Sequence, residues 1–385
     1  MYEWTIIGGG VQGVTMATFL LQSNKTSSDK LRIIDPHSGP LENWERCTQA
    51  ISMPFLRSPS VHHIEINPFG LERFAKQIQG ESFYGRFKRP SLAVFKQHCD
   101  LLYNDLNMKE CWIQGRVKEV QKIGQGWEVD YGNGNMITTK NIVIAIGVGE
   151  QPHWPDWAIT LKDDSFDIYH VFEDDFNIEA LSGPIVIIGG GMTAAHLVNK
   201  MANIFPGEVT MVKRHPFRVK LFDSDPGWLG PKKQRSFRDD PDYSSRRLKI
   251  MNARHRGSIT QDLHMKLHHL KRRGHIDWVE EEITAYKQIE DGTLLITKDG
   301  KEIYAQSVVL ATGFQPTTPG QEWIAPLMKR ERLRCADCGY PIVTDGLKWA
   351  EGLYVTGALA ELQIGPIARN ISGARQAAAQ ILSGI

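Results

Sequence analysis

The chain of 385 residues is longer than one hydrophobic core usually supports, so two compact domains are expected. Its composition, with 41% hydrophobic and 23% charged residues, is that of a globular protein and excludes a disordered or fibrous one. The net charge of +1 provides no overall field to attract nucleic acid or an anionic membrane, so neither partner is expected.

The apolar runs are short. The stretches 142–148 and 184–188 fall far below the roughly 20 residues that cross a bilayer, so a soluble protein is expected. The first apolar strand, at residues 5–7, begins so close to Met1 that no signal peptide is expected. Five cysteines, an odd number spread along the chain, favour a reducing compartment without a disulfide framework. Together these features predict a cytoplasmic protein.

The first predicted strand runs into a glycine turn and then a helix. Residues 4–13 read WTIIGGGVQG, in which three glycines complete the pattern Gly-x-Gly-x-x-Gly. Such a turn lets the backbone approach a pyrophosphate, and the following helix start supplies free N–H groups and a favourable dipole. The next strand, at 31–34, ends at Asp35, where a carboxylate would bind an adenosine ribose. The candidate cofactor-binding residues are Gly8, Gly10, Val11, Gln12, Gly13, Asp35, Pro36 and His37.

A run of short strands separated by glycine turns follows and indicates a β-meander. Its strands are predicted at 117–121, 127–131 and 136–138, and a further strand at 142–146 closes the unit. That strand ends in a turn of small residues, Ala145-Ile-Gly147. Val117, Ala145 and Gly147 are therefore added to the cofactor-binding candidates.

The same pattern recurs from residue 185 onward. Residues 185–194 read IVIIGGGMTA, and a second meander is followed by a strand at 308–311 that ends in Ala-Thr-Gly. A pattern that occurs twice in the same order indicates a duplicated unit. One glycine motif could be a plain tight turn, but two in register with two closures favour two dinucleotide sites. The candidates in this second copy are Gly189, Gly191, Met192, Thr193, Ala194, Thr312 and Gly313.

A basic segment follows the second strand of this copy, which is predicted at 208–212. It contains Lys213, Arg214 and His215, with Arg218 close behind. Units that bind NAD place an acidic residue here, whereas cations would pair with the 2′-phosphate of NADPH. The sequence therefore predicts NADPH bound by Lys213 and Arg214, with a solvated basic turn as the alternative.

The expected architecture is α/β, with two Rossmann-like three-layer dinucleotide-binding domains. One is nested in the other. The first domain is predicted at residues 1–152 and 294–385, and the inserted NADPH-binding domain at 153–293.

The chain resembles the two-dinucleotide-binding flavoproteins, and within them the N-hydroxylating class B flavin monooxygenases related to ornithine and lysine hydroxylases. The stretches that carry the resemblance are 44–58, 89–91, 222–226 and the Ala-Thr-Gly-Phe of 311–314. The resemblance implies FAD at the first glycine turn and NADPH at the second, with a hydride passing from nicotinamide to flavin.

The resemblance also implies roles for individual residues. The segment 44–57 would lie against the flavin ring, with Trp44 as a cofactor-binding candidate and Met53 and Arg57 as catalytic candidates. Arg57 would hold a substrate carboxylate, or else be an ordinary salt-bridged loop arginine. Gly357 would end the strand of the ribityl contact, although Ala358 stands where related reductases have Asp. Gly365, Pro366 and Ile367 would start a helix whose N–H groups face the reduced flavin.

The reaction implied is oxygenation of a small, amine-like substrate with O2 through a C4a-hydroperoxyflavin. Residues 227–229 and 254–258 depart from the family's substrate motifs, which leaves the substrate open. The alternative is an NADPH-dependent reductase of a disulfide, quinone or protein, and a nucleotide-binding protein without turnover is a third reading. Cys47 stands alone in the flavin-facing segment, and the pair Cys335 and Cys338 could be incidental, redox-active or half of a zinc site. No metal site is expected, and a homo-oligomer is compatible with the sequence.

Overall fold

The structure, a computed structural model, describes residues 1–164 and 166–385. The first part of the chain forms β1 (Tyr2–Ile7), α1 (Val11–Gln22), β2 (Leu31–Asp35), α2 (Glu42–Ala50), α3 (Gly70–Ala75), β3 (Phe83–Tyr84), β4 (Arg89–Pro90), α4 (Leu92–Asp105), α5 (Met108–Cys111), β5 (Trp112–Gln114), β6 (Glu119–Ile123), β7 (Gly126–Asp130) and β8 (Met136–Ile144).

The middle part forms α6 (Asp156–Asp163), β9 (Ile168–His170), β10 (Ile185–Ile188), α7 (Met192–Met201), β11 (Val209–Lys213), β12 (Arg218–Val219), α8 (Pro231–Arg238), α9 (Tyr243–Ala253), β13 (Ser258–Ile259), α10 (Gln261–Arg272), β14 (Ile276–Glu280), β15 (Ile283–Ile289), β16 (Gly292–Thr297), β17 (Glu302–Ala305) and β18 (Ser307–Leu310). The last part forms α11 (Gln321–Arg330), β19 (Lys348–Ala350), β20 (Leu353–Val355), α12 (Glu361–Ile364) and α13 (Ile371–Ser383).

The first sheet joins the two ends of the chain. Its strand order is β19-β20-β8-β1-β2-β5, and β1 runs parallel to both β2 and β8. The C-terminal β20 pairs in parallel with β8. Strands β6 and β7 extend from β8 as the predicted antiparallel meander. The two strands predicted at 136–138 and 142–146 are a single strand, β8, because the residues between them contain neither Gly nor Pro to end it.

The second sheet has the order β14-β11-β10-β18-β9, and all its pairings are parallel. The predicted second meander forms a separate antiparallel sheet of β15, β16 and β17. The expected domain boundary after residue 293 is wrong, because it cuts through β16 and assigns β18 to the first domain. Since β18 pairs with β10 and β9, the inserted unit extends to Leu310.

Apolar side chains on the central strands of both sheets are buried on both faces. In β8 and β10 the residues Ile142, Val143, Ile185 and Ile187 are 0% exposed. Near-continuous apolar runs of this kind are typical of parallel strands covered by helices on both sides. In the first unit α1 lies against the C-terminal helix α13, so the beginning and end of the chain share one core.

Two observations concern the whole chain. None of the helices among the described residues combines the length and apolar character needed to cross a membrane. All five cysteines are free thiols, with Cys99 and Cys111 buried, Cys47 half-buried, and Cys335 and Cys338 exposed.

Candidate functional site

The two glycine turns repeat one backbone geometry. In each copy the N–H of the first glycine reaches the second strand, and the closing alanine donates to the end of the first strand. The bonds are Gly8 N to Ile34 O (2.8 Å), Gly189 N to Val212 O (2.9 Å), Ala145 N to Ile7 O (2.8 Å) and Ala311 N to Ile188 O (2.8 Å). The structure thus brings each predicted glycine turn against its predicted Ala-x-Gly closure.

The first glycine of each turn has no room for a side chain. An ideal Cβ would lie 2.9 Å from Ala145 O at Gly8 and 2.5 Å from Ala311 O at Gly189. Both residues also have positive φ, +107° and +151°, which side-chain-bearing residues rarely adopt. The first-position glycines are therefore required by the fold itself, whether or not a ligand is bound.

The middle glycines of the two turns differ. An ideal Cβ at Gly10 would meet no atom within 4 Å, so open space lies in front of the first turn. At Gly191 the corresponding Cβ would lie 3.4 Å from Cα of Gly257, which belongs to the segment 254–258. A pyrophosphate fits in front of Gly10, whereas Gly257 lies against the second turn.

A cavity of about 800 Å³ opens between the first glycine turn and the inserted unit. Twelve of the predicted cofactor residues line it: Gly8, Gly10, Val11, Gln12, Asp35, Pro36, His37, Trp44, Val117, Ala145, Gly147 and Thr193. Cys47, which the sequence places in the flavin-facing segment, also lines the cavity. Further lining residues lie in loops and helices that carry no recognisable motif, so the sequence does not reveal them: Arg116, Phe172, Trp323, Arg369, Asn370 and Ile371.

Asp35 is fixed at one end of the cavity. Its Oδ2 accepts from Gly9 N at 2.6 Å, and its Oδ1 accepts from His37 N at 2.9 Å and contacts His37 Nδ1 at 2.8 Å. Each carboxylate oxygen can accept about two hydrogen bonds, so Oδ2 retains capacity for a ribose hydroxyl. The residues present therefore fit the adenosine half of FAD.

Another part of the cavity wall is made by the start of α13. Arg369, Asn370 and Ile371 line the cavity, and Asn370 is the N-cap of the helix without a side-chain capping bond. The first turn of a helix presents unpaired N–H groups and the positive end of its dipole. This wall is suited to a negatively charged or hydrogen-bond-accepting group.

The predicted helix start at Gly365, Pro366 and Ile367 lies four to six residues before the observed start at Ile371. These residues form a turn closed by Ala368 N donating to Gly365 O at 3.0 Å, and α13 begins at Ile371. Gly365, whose φ is +84°, turns the chain before this boundary. Gly357 lies behind the first glycine turn, where its Cβ would be 3.0 Å from Cγ of Gln12.

Arg57 is a salt-bridged loop arginine that lines a smaller pocket beside the large cavity, so its expected role in holding a substrate carboxylate stays a prediction. It lies outside the lining of the large cavity, and its guanidinium is already engaged by the inserted unit. The acceptors are Leu221 O (3.0 Å), Asp223 Oδ1 (2.8 Å), Lys220 O (2.7 Å), Phe222 O (3.0 Å) and Ser258 Oγ (3.0 Å). Met53 is half-buried between the cores of the two units and also lies outside the cavity lining.

Lys213 does not have the expected role at a 2′-phosphate. Its side chain is 0% exposed, and its Nζ lies 2.5 Å from Glu280 Oε1 and 4.4 Å from the ring centroid of Phe217. A buried ammonium that already has a carboxylate partner cannot reach a ligand at the surface. Arg214 is different, since its side chain is 74% exposed and lies 3.5 Å from Glu282.

The remaining predicted residues of the second copy lie at the junction of the units. Thr312 donates to His153 O, and His153 N donates to Gly313 O at 2.9 Å. The Ala-Thr-Gly turn is therefore hydrogen-bonded to the segment that leads from the first unit into the inserted unit. Phe314, directly after this turn, stacks on Phe172 with centroids 5.3 Å apart, and both rings line the cavity. Met192 and Ala194 lie at the start of α7 without contributing to the lining.

A buried carboxylate with three arginines adjoins the cavity. Glu361 is 0% exposed and forms ion pairs with Arg247 (2.6 Å), Arg254 (3.2 Å) and Arg369 (2.6 Å). Burial acts to raise the pKa of Glu361, but Arg254, Arg369 and Arg247 outweigh burial and hold that pKa below its ordinary range. The partners come from distant parts of the sequence, so no local motif could have revealed them.

Within the described residues, one group has ligand types suitable for a metal: His63, Glu65 and His98. The ring nitrogens of His63 are both used, since Nε2 contacts Pro68 O at 3.1 Å and Nδ1 accepts from Glu65 N at 3.2 Å. His98 Nε2 contacts Glu65 Oε2 at 3.0 Å. The group is accounted for as an internal hydrogen-bond network.

Cys47 is the cysteine that lines the cavity. Burial raises the pKa of its thiol, which disfavours the thiolate needed for nucleophilic attack. Cys335 and Cys338 lie on an exposed hairpin turn, closed by Gly339 N donating to Ala336 O at 2.8 Å, and neither lines the cavity.

Comparison with known proteins agrees with this geometry. The family model described as pyridine nucleotide-disulphide oxidoreductase matches residues 2–226, more than half of the chain. No curated protein matches the chain by sequence.

Three solved structures illustrate the range of similar folds. The FAD-bound cadaverine monooxygenase DfoA of Erwinia amylovora has a TM-score of 0.76 and 15% identity, with 99% of this chain and 94% of that chain covered. The ornithine hydroxylase PvdA of Pseudomonas aeruginosa has a TM-score of 0.76 and 15% identity, with 100% and 98% covered. The bacillithiol disulfide reductase Bdr of Bacillus cereus has a TM-score of 0.60 and 18% identity, with 100% and 98% covered.

Proposed function

The chain belongs to the pyridine nucleotide-disulphide oxidoreductase family, and from this premise we propose that it is an FAD-dependent, NADPH-oxidising monooxygenase of small amine-like substrates. The observation that carries the proposal is the cavity of about 800 Å³ bordered by an open glycine turn at one place and by a helix start at another. The proposed co-substrate is O2.

FAD would bind along this cavity. Gly8, Gly10 and Val11 would receive the pyrophosphate at the start of α1, and Asp35 the ribose. Trp44 and residues 369–371 would border the ring. When bound, FAD supplies the redox and oxygen chemistry, and the residues of the chain orient the cofactor, bind substrate and exclude water.

NADPH would bind at the second glycine turn, with Arg214 in place of Lys213 as the cation at the 2′-phosphate. Arg214 is exposed and lies at the end of β11, where this contact is made in dinucleotide-binding units. Gly257 lies against Gly191, so the proposal requires the turn at Gly257 to move when the dinucleotide enters, while Arg254 keeps its ion pair with Glu361.

A smaller pocket of about 50 Å³ adjoins the cavity and is the proposed amine site. The two share Ser58, Asp223 and Asn370 in their linings. Oδ1 of Asp223 is taken by Arg57, and the side chain is 54% exposed, so its second oxygen can accept a hydrogen bond from an ammonium group. Phe222 and Leu229 would contact the carbon chain of the substrate.

Two features favour oxygenation over disulfide reduction. Cys47 is the cysteine in the cavity lining, and the raised pKa of its thiol makes it a poor nucleophile at neutral pH. The TM-scores to the cadaverine monooxygenase and the ornithine hydroxylase are 0.76 each, above the 0.60 to the disulfide reductase, whereas two flavin monooxygenases of Stenotrophomonas maltophilia score 0.61 and 0.63.

The test is NADPH oxidation by the FAD-loaded protein under air and under nitrogen, with a panel of primary amines. We expect oxidation that requires oxygen, is stimulated by an amine and yields a hydroxylated product. Asp223→Asn should raise the KM for the amine about tenfold, as expected for loss of a charge-assisted hydrogen bond, while Asp299→Asn on a surface turn should not. Turnover that continues unchanged under nitrogen with a disulfide or quinone would contradict the proposal.

The second candidate is an NADPH-dependent reductase, and the position of Cys47 in the cavity wall favours it. This candidate predicts that Cys47→Ser abolishes reduction of a disulfide acceptor under nitrogen. The monooxygenase proposal predicts that the same variant retains oxygen-dependent turnover, so one variant separates the two functions.

A further inference from the structure

The group formed by Glu361, Arg247, Arg254 and Arg369, named here the arginine cluster, carries a charge surplus. One carboxylate faces three guanidinium groups, all always protonated, so the cluster holds a net charge of +2. The side chains of the arginines are 14%, 16% and 19% exposed, and that of Glu361 is 0% exposed. Charges with so little solvent around them are weakly screened.

Neighbouring groups do not cancel this surplus. Tyr340, whose hydroxyl accepts from Arg369 at 3.1 Å and from Arg247 at 3.3 Å, is neutral. Asp223 is the further carboxylate that acts on Arg254, and it is paired with Arg57. Arg256 also acts on Arg254, so the five arginines and two carboxylates together give +3.

The surplus is directed toward the cavity. Arg369 lines the cavity wall beside Asn370 and Ile371, at the positive end of the α13 dipole. Arg247 and Arg254 lie immediately behind Arg369, held to the same carboxylate. The cavity therefore has one wall with a fixed positive potential, built before any ligand enters.

A flavin ring becomes an anion when it accepts a hydride. The hydride carries two electrons and one proton, so the neutral oxidised ring gains one negative charge unless it takes up a second proton. A preorganised positive wall favours this product over the oxidised ring, since the charges need not reorganise during the transfer.

We propose that the arginine cluster sets the reduction potential of the flavin by stabilising the anionic reduced ring. This inference rests on the proposed function, since it requires FAD in the cavity. Arg247 and Arg254 lie in the stretch of sequence between β12 and β13, but their neighbours Tyr243, Ile250 and Ala253 pack into the core of the first unit, to which Glu361 and Arg369 also belong.

The test uses the FAD-loaded full chain and two readouts besides turnover: the midpoint potential, and the dissociation constant for sulfite, which adds to oxidised flavin and leaves the ring negatively charged. Three variants change the cluster in different ways. Arg247→Gln removes a positive charge, Glu361→Gln removes the negative charge, and Tyr340→Phe removes a hydroxyl of the same network without changing the charge.

We expect opposite shifts from the two charge variants. For a charge change in a partly buried site, the sulfite dissociation constant should rise about tenfold in Arg247→Gln and fall about tenfold in Glu361→Gln. A tenfold change in the two-electron equilibrium corresponds to about 30 mV, downward in the first variant and upward in the second. Tyr340→Phe should stay within about twofold of the wild type, far below the charge effect.

A purely structural role predicts another pattern. If Arg247→Gln and Glu361→Gln shift both readouts in the same direction, or if Tyr340→Phe shifts them as far, the inference is overturned. Should Glu361→Gln fail to fold, Arg254→Gln must repeat the shift of Arg247→Gln, and an unshifted Arg254→Gln overturns the inference. A wild-type protein that takes up no FAD would overturn the proposed function and this inference together, whereas flavin-loaded variants without opposite shifts overturn this inference alone.

Discussion

Gly10 and Gly13 stand three residues apart in one turn, and their surroundings differ. An ideal Cβ at Gly10 meets open space, whereas at Gly13 it would lie 1.8 Å from Gly8 O. Gly10 leaves room for a ligand, whereas Gly13 lets helix α1 approach the backbone at the end of β1. One motif therefore combines a requirement of the cofactor with a requirement of the fold.

This difference predicts opposite phenotypes for the same substitution. Gly10→Val should fold, with thermal unfolding near that of the wild type, and bind FAD at least about a hundredfold more weakly, because the side chain enters the pyrophosphate space. Gly13→Val should lose at least about 3 kcal/mol of unfolding free energy, since backbone must shift. FAD titration and thermal unfolding of both variants measure this, and a Gly10→Val protein that keeps its flavin would refute the assignment of the turn.

Two neighbouring basic residues at the end of β11 also differ in role: Lys213 is structural, and Arg214 is the residue proposed to contact the ligand. Arg214→Ala should raise the KM for NADPH about tenfold and spare NADH, in line with roughly 1.5–3 kcal/mol for a hydrogen bond to a charged group. Lys213→Met should leave the ratio of the two KM values unchanged, because Lys213 is buried against Glu280. Steady-state kinetics with NADPH and NADH measure both ratios. A loss of NADPH preference in Lys213→Met would show that Lys213 contacts the 2′-phosphate despite its burial.

At the scale of elements, Gln12 ties the first glycine turn to the end of the chain. Its Nε2 donates to Ala368 O at 3.0 Å, and its Oε1 accepts from Thr356 Oγ1 at 2.8 Å. The residue is 9% exposed, so few water molecules can replace these partners.

Gln12→Leu should therefore lower the free energy of unfolding by roughly 1–3 kcal/mol, because Thr356 and Ala368 lose buried partners. Urea denaturation gives the value. Thr356→Val removes the partner hydroxyl, and the double variant should cost less than the sum of the single variants, as for residues in one network. Fully additive effects would show that Gln12 and Thr356 are not coupled.

The elements that the sequence predicted well are those with a local signal. Strand β1, the glycine turn and α1 follow from one run of residues, and the meander from its glycine turns. The start of α13 could not be read in the same way, because Pro366 at a helix start and Asn370 as an N-cap are both favourable. The observed start depends on Gly365, whose φ of +84° turns the chain before the helix.

At the scale of the molecule, the duplicated pattern predicted two nested units. The predicted boundary after residue 293 was misplaced because it kept the meander and closing strand with their unit in the first copy but not in the second. In the first copy the meander and its closing strand belong to their own unit, and β16 to β18 do the same in the second. The arginine cluster and the hydrogen bonds of Arg57 to residues 220–223 could not be predicted. Arg247 lies 114 residues from Glu361 and Arg57 lies 166 residues from Asp223, so only folding brings these pairs together.

Buried histidines give the whole protein a pH-dependent stability. Burial lowers the pKa of His62, His170 and His196 to about 4 and that of His63 to about 3, from an ordinary value of 6.5. Above the ordinary value these residues are neutral in both the folded and the unfolded state. As the pH falls below 6.5, these histidines become protonated in the unfolded chain, whereas in the folded chain they stay neutral until about pH 4.

The free energy of unfolding should therefore decrease between about pH 6.5 and about pH 4, by at least about 2 kcal/mol. Urea denaturation at several pH values in this window measures the slope. His196→Gln should flatten it, since one proton fewer is taken up on unfolding. A stability that stays constant across the window would show that these histidines are protonated equally in both states.

The interruption of the first unit has a consequence for how the protein is made. The inserted unit ends with β18 at Leu310, whereas the first unit lacks β20 and α13 until residues 353–383 have been synthesised. On the ribosome the inserted unit can complete its sheet while its host is still missing a strand and a helix, since domains fold as units during synthesis. The contacts of Gln12 form only after Thr356 and Ala368 have been synthesised, so the first glycine turn gains its partners later than the inserted unit completes its sheet.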